Sequence, residues 1–412
     1  MARIEPFAGV RPRPDLAEKV ASPPYDVLNS EEARIMAEGN PHSFLHVVKP
    51  EIDLPGGTDL YADEVYDKAR ENLQHMRDQG VLVQDAQPCL YLYRQVWRGH
   101  EQVGLVAGAS ARDYQDDVIR KHELTREQKE TDRMRHIKAL NANTGPVFLT
   151  FKQSRKVDAL FARGLETGPA YDFTTSDGVR HVFHVVRDPE WIRQVREAFK
   201  AIDTLYVADG HHRSAAATRV KMERENANPG HTGDEEYNFF LAVIFPHNQM
   251  KILPYNRVVR DLNGLSVPAF LERVGKAFRV SENGEPEPRG VHGFSMYLNG
   301  NWYNLHALED SYDSRDPVAL LDVAILQTNL LAPILGIENP RTDERIDFVG
   351  GIRGTKELVK LVDGGEFAVA FSLFATTIEQ LFQVADAGLT MPPKSTWFEP
   401  KLRSGMVIHL LD

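Results

Sequence analysis

The segment from Thr204 to Lys221 constrains the fold of this chain more than any other part of the sequence. A short apolar run, Thr204 to Ala208, precedes the polar loop Asp209-Gly210-His211-His212-Arg213, and the alanine-rich run Ser214 to Lys221 follows. This order predicts a strand, a tight loop and a helix. A helix start carries unpaired N–H groups and a partial positive charge, and Arg213 and two imidazoles add donors there. The loop is therefore predicted to bind an anion.

The same loop also has a purely structural interpretation. A turn needs a glycine, an aspartate often caps a helix, and histidines are common on surfaces. Five polar residues so rich in hydrogen-bonding groups exceed what a turn requires, so we favour the anion site. For Asp209, a capping role stays open beside a catalytic one.

The chain is longer than a single hydrophobic core usually serves. Its 412 residues, 42% hydrophobic and 26% charged, predict two domains of an ordinary globular protein. We expect a phosphate- or nucleotide-binding core with a helical insertion at residues 1–260 and a C-terminal α/β domain at residues 261–412. The boundary is placed between residues 255 and 290, with residues 283–293, rich in Gly, Pro and Glu, as an interdomain loop.

Charge and hydropathy exclude several classes of function. With 59 acidic and 48 basic residues the net charge is -11, which disfavours wholesale binding of nucleic acid. No apolar run is long enough to span a bilayer, and the amino terminus has no signal-peptide core. Cys89 is the one cysteine and has apolar neighbours, so we expect a small buried side chain. These features predict a cytoplasmic protein that acts on small molecules.

The order of helical and strand patterns predicts an α/β (α+β) fold. The predicted strands are Leu90–Trp97, Val103–Ala109, Pro146–Phe151, His181–Val186, Thr204–Ala208, Phe239–Phe245, Glu366–Ala375 and Met406–Leu411. The predicted helices are Tyr61–Gln79, Thr125–Leu140, Pro189–Ala201, Ser214–Asn226, Pro317–Leu335 and Thr377–Ala387, with a short helix from Ser30.

A second polar segment, RKHELTREQKETDR, begins at Arg120. Arg120 and His122 precede its helical part, whereas Lys129 and Arg133 are four residues apart and share a helical face. These cations are candidates for holding phosphate groups. The alternative for the last two is a solvated charged face in which they pair with neighbouring carboxylates, worth only tenths of a kcal/mol per pair.

Three carboxylates are candidates for abstracting a proton. Glu123 stands beside an imidazole and among cations, and Asp26 is expected to be buried in its Pro/Tyr/Val context. Asp209 is the third candidate. Lys394 and Lys401 are expected to reach the same cleft from the C-terminal domain, with plain surface lysines as the alternative.

The sequence lacks the common metal and nucleotide motifs. There is no HExxH, no CxxC, no GxxxxGK(S/T) loop, no GxGxxG and no GxSxG. Adjacent histidines such as His211 and His212 point in divergent directions. We therefore predict no resident metal site, and expect any Mg²⁺ to arrive with a nucleotide.

Four motifs in order resemble the large bacterial family of uncharacterised proteins called DUF1015. They are PPYDVL at Pro23, RKHExTxxxKxxDR at Arg120, DGHHR at Asp209 and MPPKSTWFxPKxxSG at Met391. The core of that family in turn resembles the ParB/sulfiredoxin fold, in which a GxxR loop at a helix start binds nucleotide phosphates. Here Gly210-His211-His212-Arg213 matches that frame, which implies a ParB/sulfiredoxin-like mixed-sheet core with large insertions.

The resemblance also implies an activity, because the superfamily includes free-serine kinases. It implies phosphoryl transfer from ATP, ADP or pyrophosphate, with Mg²⁺, to a hydroxylated metabolite, with L-serine as first candidate. His211 occupies the position of the sulfiredoxin cysteine, so sulfinic-acid reduction is excluded. The glutamate that is catalytic in those kinases has no secure counterpart here, although Glu31 and Asp26 lie in a comparable region. The alternatives are a nucleotide-binding switch without turnover and a phosphate-ester hydrolase.

Overall fold

The chain divides into two units in a computed structural model that describes all 412 residues. One unit comprises Met1–Met250 and Pro400–Asp412, and the other comprises Lys251–Glu399. The predicted division at residue 260 kept the carboxyl-terminal segment with the second domain. In the structure that segment belongs to the first unit, because His409–Leu410 pairs with Ala142–Asn143 as a small antiparallel sheet.

The helices and strands are as follows. The strands are β1 (Ile4–Glu5), β2 (Val10–Pro12), β3 (Leu82–Gln84), β4 (Leu90–Trp97), β5 (His100–Ser110), β6 (Ile119–Arg120), β7 (Ala142–Asn143), β8 (Val147–Phe151), β9 (Tyr171–Thr174), β10 (Arg180–Val186), β11 (Leu205–Asp209), β12 (Phe239–Pro246), β13 (Lys251–Leu253), β14 (Tyr255–Val259), β15 (Phe278–Glu282), β16 (Gly293–Leu298), β17 (Asn301–Ala307), β18 (Ile346–Gly350), β19 (Val369–Leu373), β20 (Trp397–Glu399) and β21 (His409–Leu410). The helices are α1 (Ala17–Val20), α2 (Ser30–Ala37), α3 (Leu45–Val48), α4 (Asp63–Asp78), α5 (Ala111–Gln115), α6 (Glu127–Leu140), α7 (Arg155–Leu165), α8 (Pro189–Lys200), α9 (His211–Ala227), α10 (Val267–Val274), α11 (Asp322–Leu326), α12 (Thr355–Asp363) and α13 (Ile378–Asp386).

The first unit is built on a nine-stranded mixed sheet. Its order is β6-β11-β8-β12-β5-β4-β10-β9, and β1 pairs with β5 beside this path. The β6/β11 and β8/β12 pairs are parallel, and the other pairs are antiparallel. Every residue of β8 and β12 is buried, as expected for central strands that are covered on both faces. The predicted α/β class with a mixed sheet is confirmed.

Most predicted elements of this unit are present with small shifts at their ends. Strand β4 has the predicted bounds, and α6 ends where Asn141 adopts a left-handed conformation with φ 52°. The predicted helix Ser214–Asn226 begins three residues earlier, at His211. The whole loop after Gly210 therefore belongs to the first turn of α9.

The second unit contains a six-stranded antiparallel sheet of order β15-β17-β16-β19-β14-β18. Helix α12 packs on it through Leu358, beside the buried side chains of Val258 and Ala370. Residues 283–293, predicted as an interdomain loop, instead connect β15 to β16 inside this unit.

The predicted helix Pro317–Leu335 is wrong as a single element. Helix α11 covers only Asp322–Leu326, and a π-helical turn, Gln327–Leu331, continues it. Pro333 has no N–H to donate, and the N–H of Ala332 bonds five residues back to the carbonyl of Gln327 at 3.0 Å.

Two further expectations concern the chain as a whole. None of the helices combines the length and apolar character that a membrane span requires. Cys89 is buried and is the only cysteine, as predicted.

Candidate anion-binding site

The predicted strand, loop and helix form the centre of the candidate site. Strand β11 ends at Asp209 with a shift of register opposite β8, and Gly210 follows with φ 95°. A Cβ atom at Gly210 would lie 3.1 Å from the guanidinium carbon of Arg213, so glycine is required by both backbone and space. No side chain caps α9. The N–H groups of Arg213 and Ser214 donate to the carbonyl of Gly210, so those of His211 and His212 are the ones that can bind an anion.

Arg213 is almost fully buried beneath this turn. Its side chain is 10% exposed, and one terminal nitrogen donates to the carbonyl of Pro146. The other terminal nitrogen lies 3.5 Å from Asp26 Oδ2 and 3.8 Å from Asp209 Oδ1, whereas the buried Nε has no hydrogen-bond partner. Burial opposes the charge, but the two carboxylates raise the pKa of Arg213, so the guanidinium stays positive.

Asp209 is held by a second cation. Lys401 Nζ donates to Asp209 Oδ2 at 2.9 Å. Burial alone would raise the pKa of Asp209. The positive charges of Lys401 and, to a smaller extent, of Arg213 outweigh this effect and hold that pKa below its ordinary value. The capping alternative for Asp209 is wrong, because Gly210 occupies the cap position and no side chain accepts there. An ionised, ion-paired carboxylate is also a poor proton acceptor.

Two buried imidazoles meet beside Asp209. The rings of His122 and His211 pack edge to face with centroids 4.5 Å apart. Burial lowers the pKa of His122 to about 4. Burial is also the largest of the causes that lower the pKa of His211 well below 6.5, and the neighbouring His122 is the second. Both rings are therefore neutral at pH 7. His122 Nδ1 and His211 Nε2 are buried without hydrogen-bond partners.

His212 and Glu123 tie the loop before α6 to the start of α9. The backbone N–H of Arg126 donates to His212 Nε2 at 3.1 Å, and burial lowers the pKa of His212. Glu123 Oε2 lies 3.6 Å from His211 Nδ1, slightly beyond hydrogen-bond distance. The Glu123 side chain is 46% exposed, so a substrate can reach it.

Asp26 differs from its predicted environment. It lies on the single helical turn Tyr25–Val27, and its side chain is 38% exposed rather than buried. Its neighbour Tyr25 packs against the apolar cluster under this segment, whereas Val27 is exposed like Asp26. Asp26 is nevertheless at the site, through its contact with Arg213.

The cations of the second polar segment contact different partners. Arg133 pairs with Asp132 at 2.8 Å, and its guanidinium lies 4.0 Å from the centre of the Tyr25 ring. Lys129 is exposed, with Nζ 3.4 Å from the hydroxyl of Tyr61. Arg133 is therefore paired with a carboxylate, but its side chain is only 13% exposed, so it does not belong to a solvated charged face.

Two other predicted residues have different positions. Arg120 is half-buried on β6, opposite Tyr206 of β11. Lys394 belongs to the second unit, whereas Lys401 belongs to the first and reaches the site directly.

A small cavity of about 30 Å³ adjoins Arg213. Among the lining residues that sequence analysis missed are Thr144, Gly145 and Ser404, which come from two segments far apart in the chain. A Cβ atom at Gly145 would lie 3.5 Å from Arg213 Cδ. None of these three residue types carries a sequence signal by itself, and only the predicted importance of Arg213 points toward them.

The site offers no complete set of metal ligands. No three side chains of the His, Cys, Asp and Glu types are arranged to hold a metal ion. Any metal here would need ligand oxygens from a bound molecule, and a nucleotide phosphate supplies such oxygens.

Comparisons with known proteins place the chain among relatives. A sequence model described as "Protein of unknown function (DUF1015)" matches residues 4–324. No curated protein sequence shows significant similarity.

Among solved structures, free serine kinase in complex with AMP is similar at 14% identity and TM-score 0.34, over 68% of this chain and 84% of that one. A conserved hypothetical protein from Pyrococcus furiosus has 14% identity and TM-score 0.34 over 70% and 90% of the two chains. Truncated SbnI from Staphylococcus aureus has 12% identity and TM-score 0.38 over 71% and 82%.

Proposed function

The chain belongs to the DUF1015 family of proteins of unknown function, and we propose that it binds a nucleotide at the start of α9 and transfers a phosphoryl group to a hydroxylated small molecule. L-Serine is the first acceptor to test, and ATP, ADP and pyrophosphate are the donors. The observation that carries the proposal is the buried, unpaired Nε of Arg213 beneath an uncapped helix start.

The first argument concerns that unpaired nitrogen. A buried hydrogen-bond donor without a partner costs roughly 1–3 kcal/mol, and more for a charged group. A phosphate oxygen would accept a hydrogen bond from such a donor, and the phosphate would also accept hydrogen bonds from the N–H groups of Gly210, His211 and His212. A tight turn that served only to connect β11 to α9 would have no need for a buried guanidinium.

The second argument concerns the balance of charge. Two cations, Arg213 and Lys401, contact this region, together with the three carboxylates Asp26, Glu123 and Asp209. A nucleotide would add further negative charge. Mg²⁺ carried by the phosphates, with Asp26 or Glu123 as a carboxylate ligand, would neutralise charge on the transferring group. Arg120, Lys129 and Arg133 are further cations on β6 and α6.

The reaction needs few groups with covalent roles. The acceptor oxygen forms a bond to phosphorus, the bond from phosphorus to the leaving phosphate oxygen breaks, and a carboxylate takes the hydroxyl proton. Glu123 and Asp26 are our candidates for that base, because both are exposed. Asp209 holds Lys401 in place. The neutral imidazoles of His122, His211 and His212 add hydrogen-bonding groups rather than charge.

Phosphorus NMR tests this proposal. The protein is incubated with Mg²⁺ and ATP, ADP or pyrophosphate, with and without L-serine and other hydroxylated acceptors. We expect a new phosphomonoester signal that requires the acceptor. Loss of the donor without an acceptor would identify a hydrolase instead, and a bound donor that stays unchanged would identify a switch. Either outcome would overturn the proposed transfer.

Two variants assign the base, with a matched control. Glu123→Gln and Asp26→Asn each remove one candidate carboxylate with little change of shape, and the variant of the true base should lose about 10²- to 10⁴-fold in turnover. Glu127→Gln removes an exposed carboxylate on α6 and should leave turnover unchanged. If both site variants retain full turnover, neither carboxylate is the base.

A further inference from the structure

The second unit contains a buried arginine without an ion pair. Arg257 lies on β14 between Phe348 of β18 and Phe371 of β19, and the residue is 3% exposed. Its terminal nitrogens donate to the carbonyls of Tyr255 and Lys394, the latter at 3.0 Å, and its guanidinium carbon lies 5.2 Å from the centre of the Phe348 ring. All of these partners are neutral.

Such an arginine is unusual, because buried charges in proteins are normally paired with an opposite charge. Burial lowers the pKa of Arg257 to about 9, and the nearby phenol of Tyr255 opposes this shift only in part. The guanidinium is still positive at pH 7. The second unit therefore carries an uncompensated positive charge under the turn that contains Lys394.

Lys394 adds a second positive charge at the same place. Its side chain is exposed, and Nζ lies 3.3 Å from the hydroxyl of Tyr255 and 5.1 Å from the centre of that ring. Neither Lys394 nor Arg257 makes an ion pair. Two cations and a phenol hydroxyl thus converge at this turn.

The turn that presents Lys394 is built to hold one conformation. Lys394 has φ 59°, which is uncommon for a residue with a side chain and recurs at functional sites. Ser395 Oγ donates to the carbonyl of Pro392 at 2.6 Å, and Thr376 donates to the carbonyl of Ser395 at 2.8 Å. With the bond from Arg257, three hydrogen bonds fix this turn.

A second aromatic ring packs against Tyr255. Trp397 packs edge to face on Tyr255 with ring centres 5.0 Å apart. It lies so close to Gly350 that a Cβ atom there would be 2.7 Å from the indole. A rigid apolar wall next to converging polar groups is typical of small-molecule sites.

We propose that Tyr255, Arg257 and Lys394 form an oxyanion-binding site in the second unit, which takes the phosphate or carboxylate group of a small molecule. Lys394 Nζ and the Tyr255 hydroxyl bind the anion, and Trp397 contacts the remainder of the molecule. Arg257 is a positioning residue that fixes the turn and contributes positive potential. This site does not depend on whether the chain transfers phosphate.

Lysine footprinting tests the site residue by residue. The full chain is acylated under limiting reagent with inorganic pyrophosphate, with succinate or with neither, and labelling of Lys394 is measured by peptide mass spectrometry. At an anion concentration tenfold above its dissociation constant, labelling should fall about tenfold by mass action. Protection by pyrophosphate alone identifies a phosphate site, and protection by succinate alone identifies a carboxylate site.

Two controls make the outcome decisive. Lys356 is exposed on α12 of the same unit and should be labelled equally under all conditions, which separates binding from general screening. Tyr255→Phe keeps the ring but removes the hydroxyl, and it should raise the anion concentration needed to protect Lys394 about tenfold, the effect of one charge-assisted hydrogen bond. Equal labelling of Lys394 with and without both anions would overturn the proposal. Because the experiment requires no turnover, its result is independent of the phosphorus NMR.

Discussion

Asp322 allows a stability prediction whose magnitude follows from the structure. It is the first residue of α11, and the residue is 6% exposed. Oδ1 accepts the N–H of His292 at 2.8 Å, whereas the buried Oδ2 has no partner. Burial raises the pKa of Asp322 from 3.8 to about 7, so the folded protein prefers the protonated form.

The sign and size of the change in the free energy of unfolding with pH follow from this pKa shift. When folding raises the pKa of a carboxyl group, the group makes its full contribution to the free energy of unfolding at pH values below its pKa in the unfolded state. That contribution is lost as the pH rises to its pKa in the folded state. For a shift from 3.8 to about 7, the loss between pH 4 and pH 8 is about 4 kcal/mol, at 1.36 kcal/mol per unit. Asn cannot ionise, so Asp322→Asn should lack this loss.

The assay compares urea unfolding of wild type and Asp322→Asn at pH 4 and pH 8. Hydrogen exchange of peptides from α11 identifies the transition of the second unit. The difference between the two proteins should change by about 4 kcal/mol over this range in favour of Asn, and any constant cost of the buried amide cancels. Asp310→Asn, at an exposed position, is the control and should show no such change. Identical pH dependence of wild type and Asp322→Asn would refute the reasoning.

Three further predictions concern the first unit. Gly210→Ala places a Cβ where φ is 95° and should destabilise by about 1–2 kcal/mol in thermal unfolding, whereas Gly168→Ala, with open space around it, should not. Lys401→Gln removes the partner of Asp209 and should cost about 1–3 kcal/mol; an unchanged melting temperature would contradict the assigned ion pair. The His211 ring should stay neutral at pH 6 in NMR of labelled histidine, because burial lowers its pKa. Its contribution to stability is lost as pH falls below 6.5, and a protonated ring at pH 6 would contradict the described environment.

The sequence predicted local structure well where one pattern decided it. The β-forming composition of Leu90–Trp97 predicted a strand, and the glycine of the DGHHR loop predicted the turn before α9. The prediction of helix Pro317–Leu335 was wrong because composition favoured a helix over the whole run, whereas α11 covers only Asp322–Leu326 and a π-helical turn follows it. Composition alone does not indicate where such a helix begins or changes its hydrogen bonding.

Long-range contacts could not be read in the same way. Lys401 lies 192 residues from Asp209, and only the return of the carboxyl-terminal segment to the first unit joins them. The exposure of Asp26 was likewise not indicated by its Pro/Tyr/Val neighbours. The absence of an acidic partner for Arg257 also required the three-dimensional structure.

Calorimetric titration of MgADP tests the central claim, that Arg213 and the start of α9 bind nucleotide phosphates. Arg213→Gln should weaken binding about 10- to 100-fold, the effect of losing charge-assisted hydrogen bonds, while Arg112→Gln, on the exposed face of α5, should leave it unchanged. Arg213→Lys keeps the charge without the planar fork and should fall between them. Thermal unfolding of each variant shows that it is folded. Wild-type affinity for MgADP in folded Arg213→Gln would contradict the account.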